Sequence, residues 1–228
     1  KLSLICDNRI IWGSDKTINQ MRKFNLKPSC IEVLFPDKYS LSIINLNYIK
    51  KTNDKRLREI AFKFFNDSFL FNQNSCTSPH LIIWLGKSNS NYFKFWNILD
   101  SLASNNKNFY LTDKNVYDKF DKFCQISAKN NNVSASKITS KLYRMILSKL
   151  PKDISNLRHG DGYFFEFFAN KLENIKLNFN AKIQTVTYFG LKKIEFKKFI
   201  KSKKPIGINR IVPVGRASEF NEFWDGYD

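Results

Sequence analysis

The chain has 228 residues, enough for one large domain or one and a half smaller ones, and its 43% hydrophobic and 15% aromatic content excludes wholesale disorder. The net charge of +18 invites a nucleic-acid reading, but Lys far outnumbers Arg, Asn, Lys, Ile and Phe are over-used together as in an AT-rich genome, and the lysines are spread along the chain. Four scattered cysteines and two histidines, with no CxxC, CxxH or HExxH, argue against a zinc site or a disulfide framework, and no apolar run approaches the ~18–20 residues of a membrane span.

Leu2 to Ile11 reads as a short buried strand ending at Trp12-Gly13-Ser14-Asp15. Ser14 or Asp15 caps a helix through Thr17, Met21 and Phe24, because either side chain accepts from the free N–H groups of a first turn. Ile31 to Phe35 and Tyr39 to Leu46 read as strands around a Pro36-Asp37 turn. Arg56 to Phe71 places Leu57, Ile60, Ala61, Phe64 and Phe65 on one helical face. The polar elbow from Asn72 to His80 follows, and then a continuous apolar strand from Leu81 to Leu85. Tyr92 to Ala103, Asp113 to Cys124 and Ser134 to Leu150 read as helices, with a loop at Asn130-Asn131-Asn132. Beyond Pro151 come strands at Gly162 to Phe168, Ile183 to Phe189 and Ile208 to Val214, with a short basic helix from Glu195 to Lys201. Strands alternating with helices imply an α/β fold with a largely parallel sheet. The expected division is residues 1–70, the end of one domain leading into the next, and residues 71–228, the domain carrying the chemistry. Both ends read as cuts through structure, and a reduced, cytoplasmic protein is expected.

The residue that carries chemistry is Cys76. It follows a helix, sits in the polar elbow and precedes Pro79 and a buried strand. That placement exposes a side chain at the edge of a sheet, where ligands gather in open α/β folds. Oriented backbone N–H groups there lower a thiol pKa and stabilise an oxyanion. The alternative is an inert, half-buried cysteine. Cys6, Cys30 and Cys124 lie in or beside apolar runs and read as ordinary buried thiols. His80 is carried away from Cys76 by the strand it enters, and Arg158 to Gly162 reads as a structural turn.

Several segments resemble the acyl-CoA reductase component of the bacterial bioluminescence fatty-acid reductase complex, a branch of the aldehyde dehydrogenase superfamily. They are WGSDKTINQMRKF (Trp12 to Phe24), EVLFPDKYSLSIIN (Glu32 to Asn45), NDSFLFNQNSCTSPHLIIWLG (Asn66 to Gly86), QTVTYFGL (Gln184 to Leu191) and GINRIVPVGRASEFNEFWDGYD (Gly207 to Asp228). The resemblance implies an aldehyde-dehydrogenase-like catalytic domain with remnants of a dinucleotide-binding domain. It makes Cys76 the acyl-accepting nucleophile. Glu32 matches the superfamily's general-base glutamate, although Val33, Leu34 and Phe35 depart from its usual Glu-Leu-Gly-Gly-Lys surroundings. A bland strand-end carboxylate is the alternative there. Gly13 and Ser14 match the turn that faces the cofactor, against an ordinary helix cap. NADPH is the implied cofactor, and the acyl donor is a long-chain acyl-CoA or an acyl-carrying protein, with an acyl-protein synthetase as partner and a homo-oligomer as the assembly. Two other classes stay in view: a non-catalytic fragment or paralogue that binds an acyl-transfer protein, and a basic nucleic-acid-binding module with a steep salt slope.

Overall fold

The computed structural model describes residues 1–129, 133–139, 141–155, 157–177, 182–205, 207–220 and 224. In chain order the elements are β1 (Asn8–Trp12), α1 (Asp15–Met21), β2 (Ile31–Phe35), β3 (Tyr39–Asn45), α2 (Leu46–Ile49), α3 (Asp54–Phe69), β4 (Pro79–Leu85), α4 (Ser90–Asn105), α5 (Asp113–Lys129), β5 (Val133–Ile138), β6 (Tyr143–Leu147), β7 (Tyr163–Ala169), β8 (Ile183–Phe189), α6 (Lys193–Lys203) and β9 (Arg210–Pro213). The expected loop at Asn130-Asn131-Asn132 and residues 221–223 and 225–228 of the Gly207 to Asp228 segment lie outside the described residues.

β1 and β2 pair in parallel as a separate two-stranded sheet. The other seven strands form one sheet in the order β5-β6-β7-β4-β3-β8-β9, parallel except for the antiparallel β5–β6 pair at one edge. This is the expected α/β fold with a largely parallel sheet. β4 shows why the sequence reads as it does. Leu81, Ile83 and Leu85 pack into the core on one face, against Phe123 and Ile126 of α5 and Phe196 and Phe199 of α6. Ile82 and Trp84 pack into the other, against Phe64 of α3 and Phe95 of α4. A strand covered on both faces has no polar side, hence the unbroken apolar run.

Three expectations change at the level of elements. The first strand is shorter than 2–11: Leu2–Leu4 is a single 3₁₀ turn and pairing begins at Asn8. The helix expected from Arg56 starts at Asp54, because the Asn53 side chain accepts from Arg56 N (2.9 Å) and supplies the cap. The largest change is Ser134 to Leu150, which is not a helix. It folds as β5 and β6, with Tyr143 to Leu147 laid beside Tyr163 to Phe167 of β7. Ile138, Leu142, Met145 and Ile146 have helix-like spacing, but alternation wins. Met145 and Leu147 enter one core layer and Arg144 points to the other side.

Between the sheet and α4 lies a buried polar network. Glu166 of β7 has no solvent exposure, and its Oε2 accepts from Trp84 Nε1 (2.7 Å), Tyr92 OH (3.0 Å) and Trp96 Nε1 (3.0 Å). Its Oε1 accepts from Arg144 Nε (2.9 Å) and lies 2.8 Å from Nη2, which also donates to Tyr92 OH (2.6 Å). The Arg144 guanidinium stacks on Trp96 at 4.0 Å. Burial raises the Glu166 carboxyl above its ordinary range, while Arg144 and the ring donors pull it back. No helix among the described residues is long and apolar enough to cross a membrane.

Candidate active site

α3 ends at Phe69, and the chain reverses through Asn72 and Gln73, both in the left-handed region (φ 49° and 62°). Two non-glycine residues held there in succession carry strain, so something must hold them. The Gln73 side chain does so. It is fully buried, its Nε2 donates to Pro79 O (3.0 Å) and Tyr163 O (2.9 Å), and its Oε1 accepts from Gly162 N (3.0 Å) and Tyr163 N (2.9 Å). One amide thus locks the elbow to the turn that opens β7. That turn is tight: Asp161 and Gly162 have positive φ, and a Cβ on Gly162 would come within 2.6 Å of Lys141 O.

Cys76 lies in a turn closed by Ser78 N donating to Ser75 O (3.0 Å). Ser75 Oγ accepts from Thr77 N (3.3 Å) and pairs with the Thr77 hydroxyl (2.9 Å). Behind the turn, Ser40 Oγ donates to the Cys76 carbonyl (2.6 Å) and accepts from Thr185 N (3.2 Å), where β3 and β8 shift register. The backbone of Cys76 is therefore fastened to the sheet while its half-buried side chain faces a cleft. The cleft measures about 430 Å³ and is lined by Asn74, Ser75, Cys76, Thr77 and Ser218 between the rings of Trp12, Phe71, Phe220 and Trp224. Such a space takes a drug-sized, mostly apolar group with a few polar contacts. The site sits where β4 begins, at the amino end of a parallel strand. The rule that draws ligands to carboxyl ends, which motivated the choice of Cys76, is not what places it here.

The far wall is set by Asp67 of α3. Its carboxylate, 3% exposed, accepts from Gly215 N (2.6 Å) and Ala217 N (2.9 Å), which fixes the turn leading to Ser218. Burial pushes this carboxyl up to about 6, against the pull of the two N–H groups. A folded-state pKa above the unfolded value means that the native state holds the proton more tightly. The stability from that proton is complete below about pH 4 and is lost as pH rises through about 6. Relative to Asp67→Asn, the wild type is expected to lose on the order of 3 kcal/mol between pH 4 and pH 7. Urea midpoints at the two pH values measure this, and an equal or opposite slope would refute the assignment.

Other expected site residues are placed elsewhere. Glu32 pairs with Arg9 and, at 3.2 Å, with Arg22 Nε. In the β1–β2 register, Arg9 opposite Glu32 and Ile11 opposite Leu34 share a face, and Trp12 opposite Phe35 lies on the other. Glu32 thus points away from the face that reaches the cleft, and the structure does not bring it to Cys76. Ser14 Oγ accepts from Thr17 N (3.2 Å), an ordinary cap for α1. Gly13 N donates to Phe35 O (3.2 Å). The Ser14 hydroxyl and the Gly13 N–H are thus both engaged within the chain. Gly13 and Ser14 do follow Trp12, whose exposed indole (60%) offers a flat face for a ring at the cleft mouth.

His80 of β4 is buried beside Tyr39 of β3, and burial drives its pKa down to about 3, so it is neutral. Cys6 and Cys30 are half-buried with their Sγ atoms 3.8 Å apart, and Cys124 is exposed. This corrects the reading of all three as buried thiols: β1 and β2 leave an open rim, and Cys124 faces outward on α5. Among the described residues no group of three His, Cys, Asp or Glu could hold a metal. Sequence reasoning missed Gln73, Ser40, Asp67 and the cleft walls. Trp12, Ser218, Phe220 and Trp224 sat in the segments that carried the resemblance, which was the available signal.

Residues 1–119 match the family described as acyl-CoA reductase (LuxC). No curated protein matches the chain. Among solved structures, aldehyde dehydrogenase 21 from Physcomitrella patens, in complex with the reaction product succinate, is 9% identical with a TM-score of 0.60, over 94% of this chain and 45% of that one. An NAD-dependent benzaldehyde dehydrogenase from Corynebacterium glutamicum is 10% identical at 0.58, over 97% and 49%. An NADP-dependent enzyme from E. coli is 10% identical at 0.59, over 92% and 46%. The fold is shared, and the chain spans about half the length of these neighbours.

Proposed function

The chain belongs to the acyl-CoA reductase (LuxC) family, and on that premise we propose that it carries the thioester half-reaction of a long-chain acyl-thioester reductase, with Cys76 as nucleophile. The observation that carries this reading is the cleft: one cysteine, its backbone fastened by Ser40, between four aromatic rings. The Cys76 thiolate attacks the acyl carbonyl, a new C–S bond forms, and the bond to the donor's sulfur breaks with that thiol as leaving group. The N–H of Cys76 and the hydroxyls of Ser75 and Thr77, residues that line the cleft beside the thiol, are the donors assigned to the developing oxyanion. The rings of Phe71, Phe220 and Trp224 offer the acyl chain an apolar wall beside the thiol. NADPH, when bound, supplies the hydride that brings the acyl carbon to the aldehyde level, and Trp12, Gly13 and Ser14 are the residues that would flank its nicotinamide end. Glu32 retains the role of ion-pair partner within the β1–β2 ribbon.

Cys76→Ala is expected to abolish covalent labelling by a long-chain acyl thioester, while Cys6→Ala, Cys30→Ala and Cys124→Ala keep it. Intact-mass spectrometry reads the adduct directly. Labelling that survives in Cys76→Ala would sink the mechanism.

A further inference from the structure

Behind the Phe220 wall lies a second cavity, of about 450 Å³, whose lining includes Lys193, Arg210, Arg216, Glu219 and Phe220. The two spaces share Phe220, whose ring is 70% exposed and packs on Trp224 with centroids 4.6 Å apart. Arg210 is set in place behind that pair. Its guanidinium stacks on Trp224 at 4.8 Å and donates to Ala217 O (3.2 Å) and Arg216 O (3.4 Å). Lys193 is exposed at the start of α6, and Arg216 is held by Glu219 in an exposed pair at 2.7 Å. An exposed pair of this kind contributes little, so an incoming anion can take Arg216 from Glu219 at small cost. Among the described lining residues, Lys193 and Arg216 face one carboxylate, Glu219, while Arg210 adds its charge from behind, and an arginine that can grip phosphate through paired N–H groups favours a phosphorylated ligand. Exposed lysines along α6, at 197, 198 and 201, add to the positive field at this edge.

Taken with the aromatic cleft next door, the geometry points to a phosphate subsite for the phosphorylated pantetheine arm of the acyl donor: the thioester lies at Cys76, the arm crosses Phe220, and its phosphate groups meet Lys193 and Arg216. This rests on the acyl-thioester reading above and extends it from the reacting carbonyl to the group that delivers it. The same chemistry comes from free CoA or from an arm tethered to a carrier protein.

Calorimetry on the full chain at low salt, with CoA, 4′-phosphopantetheine and pantetheine as probes, tests the subsite. Pantetheine is expected to bind at least ~10-fold more weakly than CoA, a difference of about 1.4 kcal/mol. The double variant Lys193→Gln, Arg216→Gln is expected to weaken CoA at least ~10-fold and leave pantetheine unchanged. Both residues are exposed, so the fold is expected to tolerate the change, and circular dichroism checks that it does. Equal affinity for CoA and phosphopantetheine assigns the subsite to the arm's own phosphate, as a carrier would present it. Tighter CoA binding assigns it to the nucleotide end. Wild-type CoA affinity in the double variant overturns the proposal, as does displacement of CoA by inorganic pyrophosphate at equal concentration, which would mark a general attraction for anions. The parent reading fails separately. If acyl labelling persists in Cys76→Ala while CoA binding still depends on Lys193 and Arg216, the thioester mechanism falls and the subsite stands.

Discussion

Glu166→Ala is expected to cost about 3–5 kcal/mol of folding stability. The reason lies in what is left behind rather than in what is removed. Trp84 Nε1, Trp96 Nε1, Tyr92 OH and the Arg144 guanidinium all point at one carboxylate in a site closed to water. Each neutral donor stranded there costs roughly 1–3 kcal/mol, and the buried cation more. A compensated replacement separates the two effects. Glu166→Met combined with Arg144→Met removes both charges and fills similar volume, and it is expected to lose far less than Glu166→Ala alone. Equilibrium denaturation of the single and double variants measures the coupling. A loss below about 1 kcal/mol for Glu166→Ala would show that water enters and the network is not closed.

The second large effect joins stability to chemistry. Gln73→Leu keeps the approximate bulk and deletes four hydrogen bonds, which leaves Gly162 N, Tyr163 N, Pro79 O and Tyr163 O buried without that partner. Part of this relaxes through local movement, and a net loss of about 2–4 kcal/mol is expected. The movement falls on the Cys76 turn, because Gln73 holds the residue that starts β4 on one side and the β7 turn on the other. Acyl transfer to Cys76 is expected to slow by at least ~10²-fold under conditions where the variant is still folded, as misplacement of a reacting group by an ångström does. A thiol-modification rate at Cys76 that matches the wild type in the folded variant would mean that Ser40 alone suffices to hold the turn.

The residues differ in how much they reveal from sequence. Leu81 to Leu85 announces a two-sided strand because burial on both faces is written into consecutive positions. Cys76 is legible from its elbow and from segment resemblance, and its side chain faces a cleft. The hairpin at β5–β6 was hidden because its apolar residues happen to fall at helical spacing, while the evidence for a strand is the partner β7, about twenty residues on. Glu166 gave only an acid inside an aromatic run. Its partners stand at 84, 92, 96 and 144, which no local pattern connects. Gln73 and Asp67 are invisible for the same reason: each acts on backbone far along the chain, and backbone groups carry no sequence signature.

That distance has a temporal side. Asp67 reaches Gly215 across 148 residues, and Ser40 reaches Thr185 across 145. A ribosome releasing the chain from its amino end has already extruded Cys76 when neither fastening exists. β4 can pair with β3 early, but β8 cannot join until residue 189 has emerged, and the Gly215 turn follows later still. Long-range parallel pairing is slow to form even in the complete chain, since loop closure must precede the contacts that reward it. The nascent protein therefore carries an untethered thiol from the emergence of Cys76 until the Gly215 turn has emerged, and the aromatic wall closes over it only then. Pulse alkylation of stalled nascent chains is expected to find Cys76 with the reactivity of an unfolded cysteine until residues beyond 217 are free of the exit tunnel, and distinct only after that.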